Sequence, residues 1–498
     1  MRGMRTLAAV GLGLCACADP CAAQRVDELW TANCASCHGA RGAGGAGVGT
    51  LLEGPAVGRS ERETFDAIGG GKRAGGDHDF SATLNDEQLW GVTVHLRELQ
   101  AQARREREGS PAPDDAGVYR AQRHAFRVET VLGEGLRTPW SVDFLPDGRK
   151  LVTNRPGTLQ VETEGGRLLE VRGTPRVRSR GQGGLMDVAP HPSFAENGWI
   201  YLAFSDKLEA NDRSPGMTKI VRGRISRGEW TDEQTVFEAD HDDYLPSDIH
   251  FGCRLVFQES DGAGPGSATH YLYFPIGERG FAEHAQDLTR PNGKVHRLWD
   301  TGGVPADNPF VERARADAGV YESIWSYGHR NPQGLAMEAE GVLWDTEHGP
   351  RGGDEVNVVE RGRNYGWPLV SFGINYDGDP LTTPFPDVSA PGEEIAMPSA
   401  IWLPSVGACG LDVVRGGVEG EAFPGWRGDL IAGGLSGANV DRFRFEADAS
   451  SPGERRLVER EELLHGMGRV RDVVCGPDGS IYVVLNDPDR VVRLVPAE

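Results

Sequence analysis

Val142-Asp143-Phe144-Leu145-Pro146-Asp147-Gly148-Arg149-Lys150-Leu151-Val152 reads as two short strands joined by a tight turn. Proline presets φ in such a turn, and glycine supplies the conformation that closes it. A near copy stands at the far end of the chain, at 473–484, around Gly476-Pro477-Asp478-Gly479-Ser480-Ile481-Tyr482. Related units fall at 192–204, at 255–275 with an inserted glycine-rich loop, at 334–345 and at 422–432. Six units within 125–498 leave about 62 residues each, which suits four strands with insertions. The expectation is an all-β six-bladed β-propeller. A pair of β-sandwiches would leave the recurring strand–turn–strand unit unexplained.

Composition agrees with that reading. The chain has 498 residues, of which 69 are glycine. That is about twice the usual share, and with no Gly-X-Y period it reads as a turn inventory. Lys and Arg number 52 against 74 Asp and Glu, a formal net charge of −22. Such an acidic chain is a poor match for nucleic acid, whose phosphates recruit basic surfaces. Hydrophobic residues reach 38%, enough for globular cores. After the first 30 positions no run is long and apolar enough for a multi-span membrane protein.

The eight cysteines stand at 15, 17, 21, 34, 37, 253, 409 and 475, so five crowd the front. Met1 to Arg5 is basic, and Thr6 to Ala18 is short and apolar. Residues 1–23 therefore read as a secretory leader, which predicts a periplasmic or secreted protein. Cleavage after Ala18 or Ala23 and lipidation at Cys17 are the alternatives. Cys34-Ala35-Ser36-Cys37-His38 is a C-x-x-C-H string. Its spacing suits thioether attachment of a c-type haem, with the imidazole on the iron, and chance would produce it on the order of 0.003 times here. No second cysteine pair completes a zinc site.

The flanking sequence predicts a small all-α cytochrome c domain over 24–100. It has a helix over 26–35, a glycine-rich loop at 39–49 and a closing helix opened near Leu84 with Asn85 or Thr83 as its cap. A distal methionine is missing: after Met4 the next is Met186. His78 occupies the expected place, which predicts bis-histidine ligation by His38 and His78 and a lowered potential. His95 and an open sixth position are the competing readings. Residues 101–124 are polar and proline-containing, and read as a linker to the propeller at 125–498.

Four loop strings carry more chemistry than turns need. They are Arg180-Gly181-Gln182-Gly183-Gly184 running on to His191, Tyr327-Gly328-His329-Arg330-Asn331-Pro332-Gln333-Gly334, Glu347-His348-Gly349-Pro350-Arg351-Gly352-Gly353-Asp354-Glu355-Val356-Asn357 with Asn364-Tyr365-Gly366-Trp367-Pro368, and Arg469-Val470-Arg471-Asp472. Arg330, Arg469 and Arg471 could bind a polyanion through paired bonds to carboxylates. Carbonyls of the Gly349-Pro350 turn could hold Ca²⁺. His191 could act as a general base. Each alone is matched by a plain structural role.

Together these strings resemble the soluble, calcium-dependent pyrroloquinoline quinone (PQQ) glucose and aldose sugar dehydrogenases, which are six-bladed propellers. The resemblance implies that His191 takes the hydroxyl proton as hydride passes to PQQ and that Arg330 and Asn331 contact the quinone. It also implies that the carbonyls of Gly349 and Pro350 bind Ca²⁺, and that Arg469 and Arg471 hold the PQQ carboxylates. The chain departs from the family in having Leu435-Ser436-Gly437 where lysine is common, His348 where Gln is common, Cys253 in a Gly-Gly-Arg-Leu-like string, and an insertion at 261–270. His250, His296 and His329 read as loop or packing residues. At most one disulfide can form among Cys253, Cys409 and Cys475.

The combined expectation is an exported quinohaemoprotein. A sugar or other alcohol reduces PQQ, the haem takes the electrons singly, and an external acceptor removes them. A calcium-dependent propeller hydrolase or lactonase and a non-catalytic haem sensor are the rivals.

Overall fold

The computed structural model describes residues 25–45, 48–70, 79–209, 211, 213–260, 262, 264–265, 268–382, 384, 394–417, 420–447 and 455–497. The leader with Cys17, and His78, lie outside them. No helix among the described residues is long and apolar enough to cross a membrane.

The N-terminal unit is built from α1 (Val26–Asn33), α2 (Ala35–His38), α3 (Glu61–Gly69) and α4 (Asp86–Glu108). Local chemistry sets the helix starts. Ser60 and Glu63 form a reciprocal capping box at α3, and Asn85 and Gln88 form one at α4, so Asn85 is the cap. Asp86 and Glu87 in the first turn of α4, with Arg105 and Arg107 in the last, complement the helix dipole. This helix runs past position 100, into the segment read as linker. The segment 101–108 is rich in Ala, Gln, Glu and Arg, all good helix formers. The helix stops at Gly109, φ +75°.

From Tyr119 onward the chain is a ring of six antiparallel sheets. Blade 1 runs from Pro139–Phe144 to Leu168–Val171, blade 2 from Leu185–Pro190 to Glu229–Phe237, and blade 3 from Val256–Glu259 to Ile324–Tyr327. Blade 4 spans Pro332–Met337 to Ala400–Trp402, and blade 5 spans Ala408–Val413 to Arg455–His465. Blade 6 takes Arg469–Cys475, Ile481–Asn486 and Arg490–Pro496 from the C-terminus. Its next strand is Ala125–Leu132 from the start of the domain, which ties the ring shut.

The two sequence copies fold alike. Gly148 (φ +83°) donates its N–H to Leu145 O at 2.8 Å, and Gly479 (φ +76°) donates to Gly476 O at 2.9 Å. Asp147 accepts the Arg149 N–H at 3.1 Å, and Asp478 accepts that of Ser480 at 3.0 Å. Inner-strand aspartates then join neighbouring blades: Asp187 accepts from Leu255 N, Asp412 from Cys475 N and Asp472 from Val142 N. Arg254 bridges Asp187 and Asp472 at the channel.

The helical unit sits on blades 4 and 5. Trp90 of α4 meets Phe372 edge to face at 6.1 Å, and Phe372 and Ile374 share one apolar cluster with Val26, Leu29 and Val94. Gly352 (φ +83°) lets its loop approach α4, since a Cβ there would lie 3.3 Å from Val94 Cγ1.

Candidate functional site

The helical unit contains a slot beside α2. Cys34 is buried, Cys37 is exposed, and both are free thiols. Burial first, then the neighbouring Cys37, pushes the Cys34 thiol up to about 11. Trp30, Leu51, Ile68, Phe80, Val92 and Leu96 line the slot together with both cysteines and His38. An apolar cleft edged by two thiols and an imidazole has the donor set for a covalently held haem. His95 does not line it. Its ring lies 5.5 Å from Trp30, and its Nδ1 stands 3.8 Å from Glu98 on the propeller side of α4.

A second cavity opens at one mouth of the propeller channel. Asn331, His348, Gly349, Pro350, Arg469 and Arg471 all line it, so the ring assembles residues that the sequence scatters over blades 4 and 6. Arg330 stands against its wall: Nη1 donates to His348 O at 3.2 Å and to Gly349 O at 2.8 Å, and its guanidinium lies over Trp367. Glu347 anchors the Arg330 backbone N–H at 2.6 Å. Arg471 stacks on Trp140 at 4.2 Å, and burial first lowers its affinity for a proton. Ser436 also lines the cavity, in the position where the family often has lysine.

Among the described residues, Arg330 Nε, Asn331 Nδ2, Arg471 Nε and His348 Nε2 are buried without a hydrogen-bond partner. Unpaired buried donors are costly, so their convergence fits a planar, polyanionic group such as PQQ. Burial, then Arg330 and His250, push the His348 imidazole down to about 3, so it stays neutral.

Glu347 and Glu355 line one small cleft with Gly349 and Pro350, which sets carboxyl oxygen beside that turn. Asn357 Nδ2 donates to Asp345, Glu347 and Glu355 at 3.1–3.2 Å. Burial, reinforced by Glu347, holds the Asp345 and Glu355 carboxyls well above the usual range. Carboxylate and carbonyl oxygens are the donors a hard cation such as Ca²⁺ takes.

His191 is the exception. The structure puts it at the junction of blades 2 and 3, outside this cavity. Its Nδ1 accepts the Ser193 backbone N–H and the Asn197 amide, both at 2.9 Å. A backbone N–H can only donate, so the proton sits on Nε2, which donates to Asp300 at 2.9 Å. No lone pair remains for a substrate proton, and the assignment of His191 as base is corrected on that ground.

His348 lines the cavity itself, and His250 stands next to the lining residues Gln182 and Asn331. Its Nδ1 donates to Glu278, whose own N–H donates to Arg330 O at 2.8 Å. Its backbone N–H is held by Gln182 at 2.8 Å, and two residues on, Gly252 N–H donates to Asn331 Oδ1. Nε2 makes no hydrogen bond among the described residues. Burial, with Arg330 and Arg279 opposing Glu278, lowers the His250 pKa. The residue sits at φ +56°, a strained conformation of the kind found at functional sites. The available sequence signal was its place just ahead of the string that Cys253 interrupts.

His296 and His329 are fully buried packing residues, paired with Ser323 and Pro291 and with Ser326 and Glu347 respectively. Cys253, Cys409 and Cys475 are all free thiols, so the one disulfide that their number allowed does not form.

Comparison with known proteins bears on both sites. The family model described as Glucose / Sorbosone dehydrogenase matches residues 136–493, and that described as Cytochrome C oxidase, cbb3-type, subunit III matches residues 22–96. The aldose sugar dehydrogenase YliI of Escherichia coli is 38% identical over 365 residues, covering 72% of this chain and 89% of its own length. The crystal structure of the soluble E. coli aldose sugar dehydrogenase in the apo form superposes with a TM-score of 0.61 at 35% identity, over 75% of this chain and 100% of that one. The PQQ-bound form of the Streptomyces coelicolor aldose sugar dehydrogenase superposes at 0.54 with 26% identity, over 75% and 98%.

Proposed function

Because the chain belongs to the glucose/sorbosone dehydrogenase family of PQQ-dependent oxidoreductases and carries a cytochrome c domain ahead of the propeller, we propose that it is an exported quinohaemoprotein that oxidises an aldose or related alcohol and passes the electrons through its own haem to an external acceptor. PQQ, when bound, supplies a two-electron acceptor for the hydride of an alcohol carbon, and a c-type haem supplies a one-electron one.

The protein's residues have separable tasks. His250 Nε2 takes the substrate hydroxyl proton while Glu278 holds Nδ1–H, the orientation a general base needs. The lowered pKa keeps that imidazole neutral and available. Arg330 and Asn331, with their unpaired donors, would hold the quinone end of PQQ, and Arg469 and Arg471 would hold its carboxylates. Gly349 and Pro350 offer carbonyls to Ca²⁺. Gln182 and Tyr376, at the rim, are placed to meet sugar hydroxyls. In the helical unit Cys34 and Cys37 would hold the haem and His38 would ligate its iron, with His78 as the proposed distal partner.

The observation that carries this reading is α4. Val92 and Leu96 on one side line the haem slot, while Glu98 on another lines the arginine cavity. A single helix, about 10–12 Å across with its side chains, thus separates the two. A hydrolase or a sensor gives that adjacency no use. The test is to load the haem-bearing protein with PQQ and Ca²⁺, add aldoses without oxygen and follow the haem absorption band. Haem reduction is expected. A haem that stays oxidised while PQQ is reduced breaks the circuit.

A further inference from the structure

Resting on that reading, we propose that Glu98 and Arg351 form a latch that holds α4 against the cofactor cavity and so sets how fast electrons cross between the domains. Arg351 directly follows the Gly349–Pro350 turn. Its Nε and Nη2 donate to the two oxygens of Glu98 at 2.9 and 2.7 Å, a bidentate fork. The side chains are 34% and 20% exposed, so water screens this pair less than an ordinary surface bridge. Burial alone would raise the Glu98 carboxyl, but His95 and Arg351 outweigh it and keep it anionic.

The other contacts across the joint cannot do this job alone. Trp90 on Phe372 and the shared apolar cluster supply attraction without fixing direction, and the Val26 N–H to Gly378 O hydrogen bond at 2.9 Å fixes the start of α1 rather than α4. A planar guanidinium–carboxylate fork does fix it. Two helical turns further along α4, Arg105 pairs with Glu462 of blade 5 at 2.7 Å. With Ser110 and His465 joined at 2.8 Å just past the end of the helix, these pins define the axis of α4, and of them the Glu98 pin lies at the cavity. Glu98 is thus a positioning residue, contributed by one domain to the wall of the other's site.

The test uses the full chain with haem attached, as wild type, Glu98→Gln, Glu98→Ala and Arg105→Ala. After loading with PQQ and Ca²⁺, one anaerobic aldose pulse is given. The first-order rate of haem reduction is compared with the rate at which a small dye takes electrons from the propeller. Because small misplacements cost large factors in rate, the ratio is expected to fall about tenfold in both Glu98 variants and less in Arg105→Ala. The charge-swapped pair Glu98→Arg with Arg351→Glu should recover part of what Arg351→Glu alone loses. A second readout needs no PQQ: amide exchange of residues 371–380 should speed up in the Glu98 variants while the haem spectrum is unchanged. Wild-type ratio and wild-type exchange in both Glu98 variants would overturn the latch. If wild-type haem is never reduced, the functional reading fails first, and exchange alone then decides the latch.

Discussion

In the helical domain Cys34, Cys37 and His38 lie within five consecutive positions, on and just before one turn of helix. The propeller draws its cavity from Gln182, on the loop ahead of blade 2, to Arg471 in blade 6. The first arrangement is covalent in intent and local, so backbone geometry alone presents both thiols and the imidazole to one slot. The second exists only once Ala125–Leu132 has closed the ring on Arg490–Pro496. A local site tolerates a displaced neighbour, whereas a dispersed site depends on every blade holding its place.

The sharpest way to break that contrast is to exchange the two histidines. His250→Ala should cost about 10²–10⁴-fold in kcat, the usual worth of a positioned base. His191→Ala should leave kcat nearly unchanged. Dye-linked steady-state kinetics separate them, and a collapse at His191 instead would reverse the assignment. Next in size is Arg471→Ala. Losing one charge-assisted contact, worth about 1.5–3 kcal/mol, should weaken PQQ binding roughly 10- to 100-fold in reconstitution titrations. Independence of the local site is tested by Cys34→Ser with Cys37→Ser. Haem should no longer stay with the denatured protein, while the propeller keeps most of its dye-linked rate.

Smaller effects concern stability. His296 is buried with its pKa pushed down to about 3, whereas an unfolded histidine titrates near 6.5. The unfolded chain therefore gains a proton that the native one refuses, and stability is lost as pH falls from about 6.5 toward about 3. Tm measured across that window should drop, and His296→Gln should flatten the drop. Least of all, His191→Ala should lower stability by about 1–3 kcal/mol, since Asp300 loses a buried donor. Denaturant unfolding measures that cost.

What was legible in the sequence follows the same division. The Pro-Asp-Gly turns at 146–148 and 477–479 announced paired strands because glycine's φ and aspartate's reach act over two or three residues. Asn85 announced the start of α4 for the same reason. The helix overran its expected end because Gln102 to Glu108 are helix formers whose charges also suit a linker. The propeller arginines were found by their string and not by their geometry. His250 was passed over because its partner Glu278 is 28 residues away and its neighbour Arg330 is 80 away. His191 was chosen because a histidine on a turn looks available and because the family resemblance matched it to the proton-accepting histidine. Only the fixed donor at Ser193 N showed that its lone pair was taken.

The sequence by itself therefore determined a recurring strand–turn–strand unit, clearest at 142–152 and 473–484, a haem-attachment string, and an acidic chain in which a few arginines stand out. These are matters of short-range sterics and covalent spacing. Tertiary structure alone decided that Ser193 and Asn197 occupy His191 while Glu278 orients His250 next to residues of the cavity wall, which buried donors are left unpaired there, and that α4 walls both the slot and the cavity. Those outcomes depend on burial and on hydrogen bonds between distant blades, and such interactions acquire a sign only when the ring closes and water leaves.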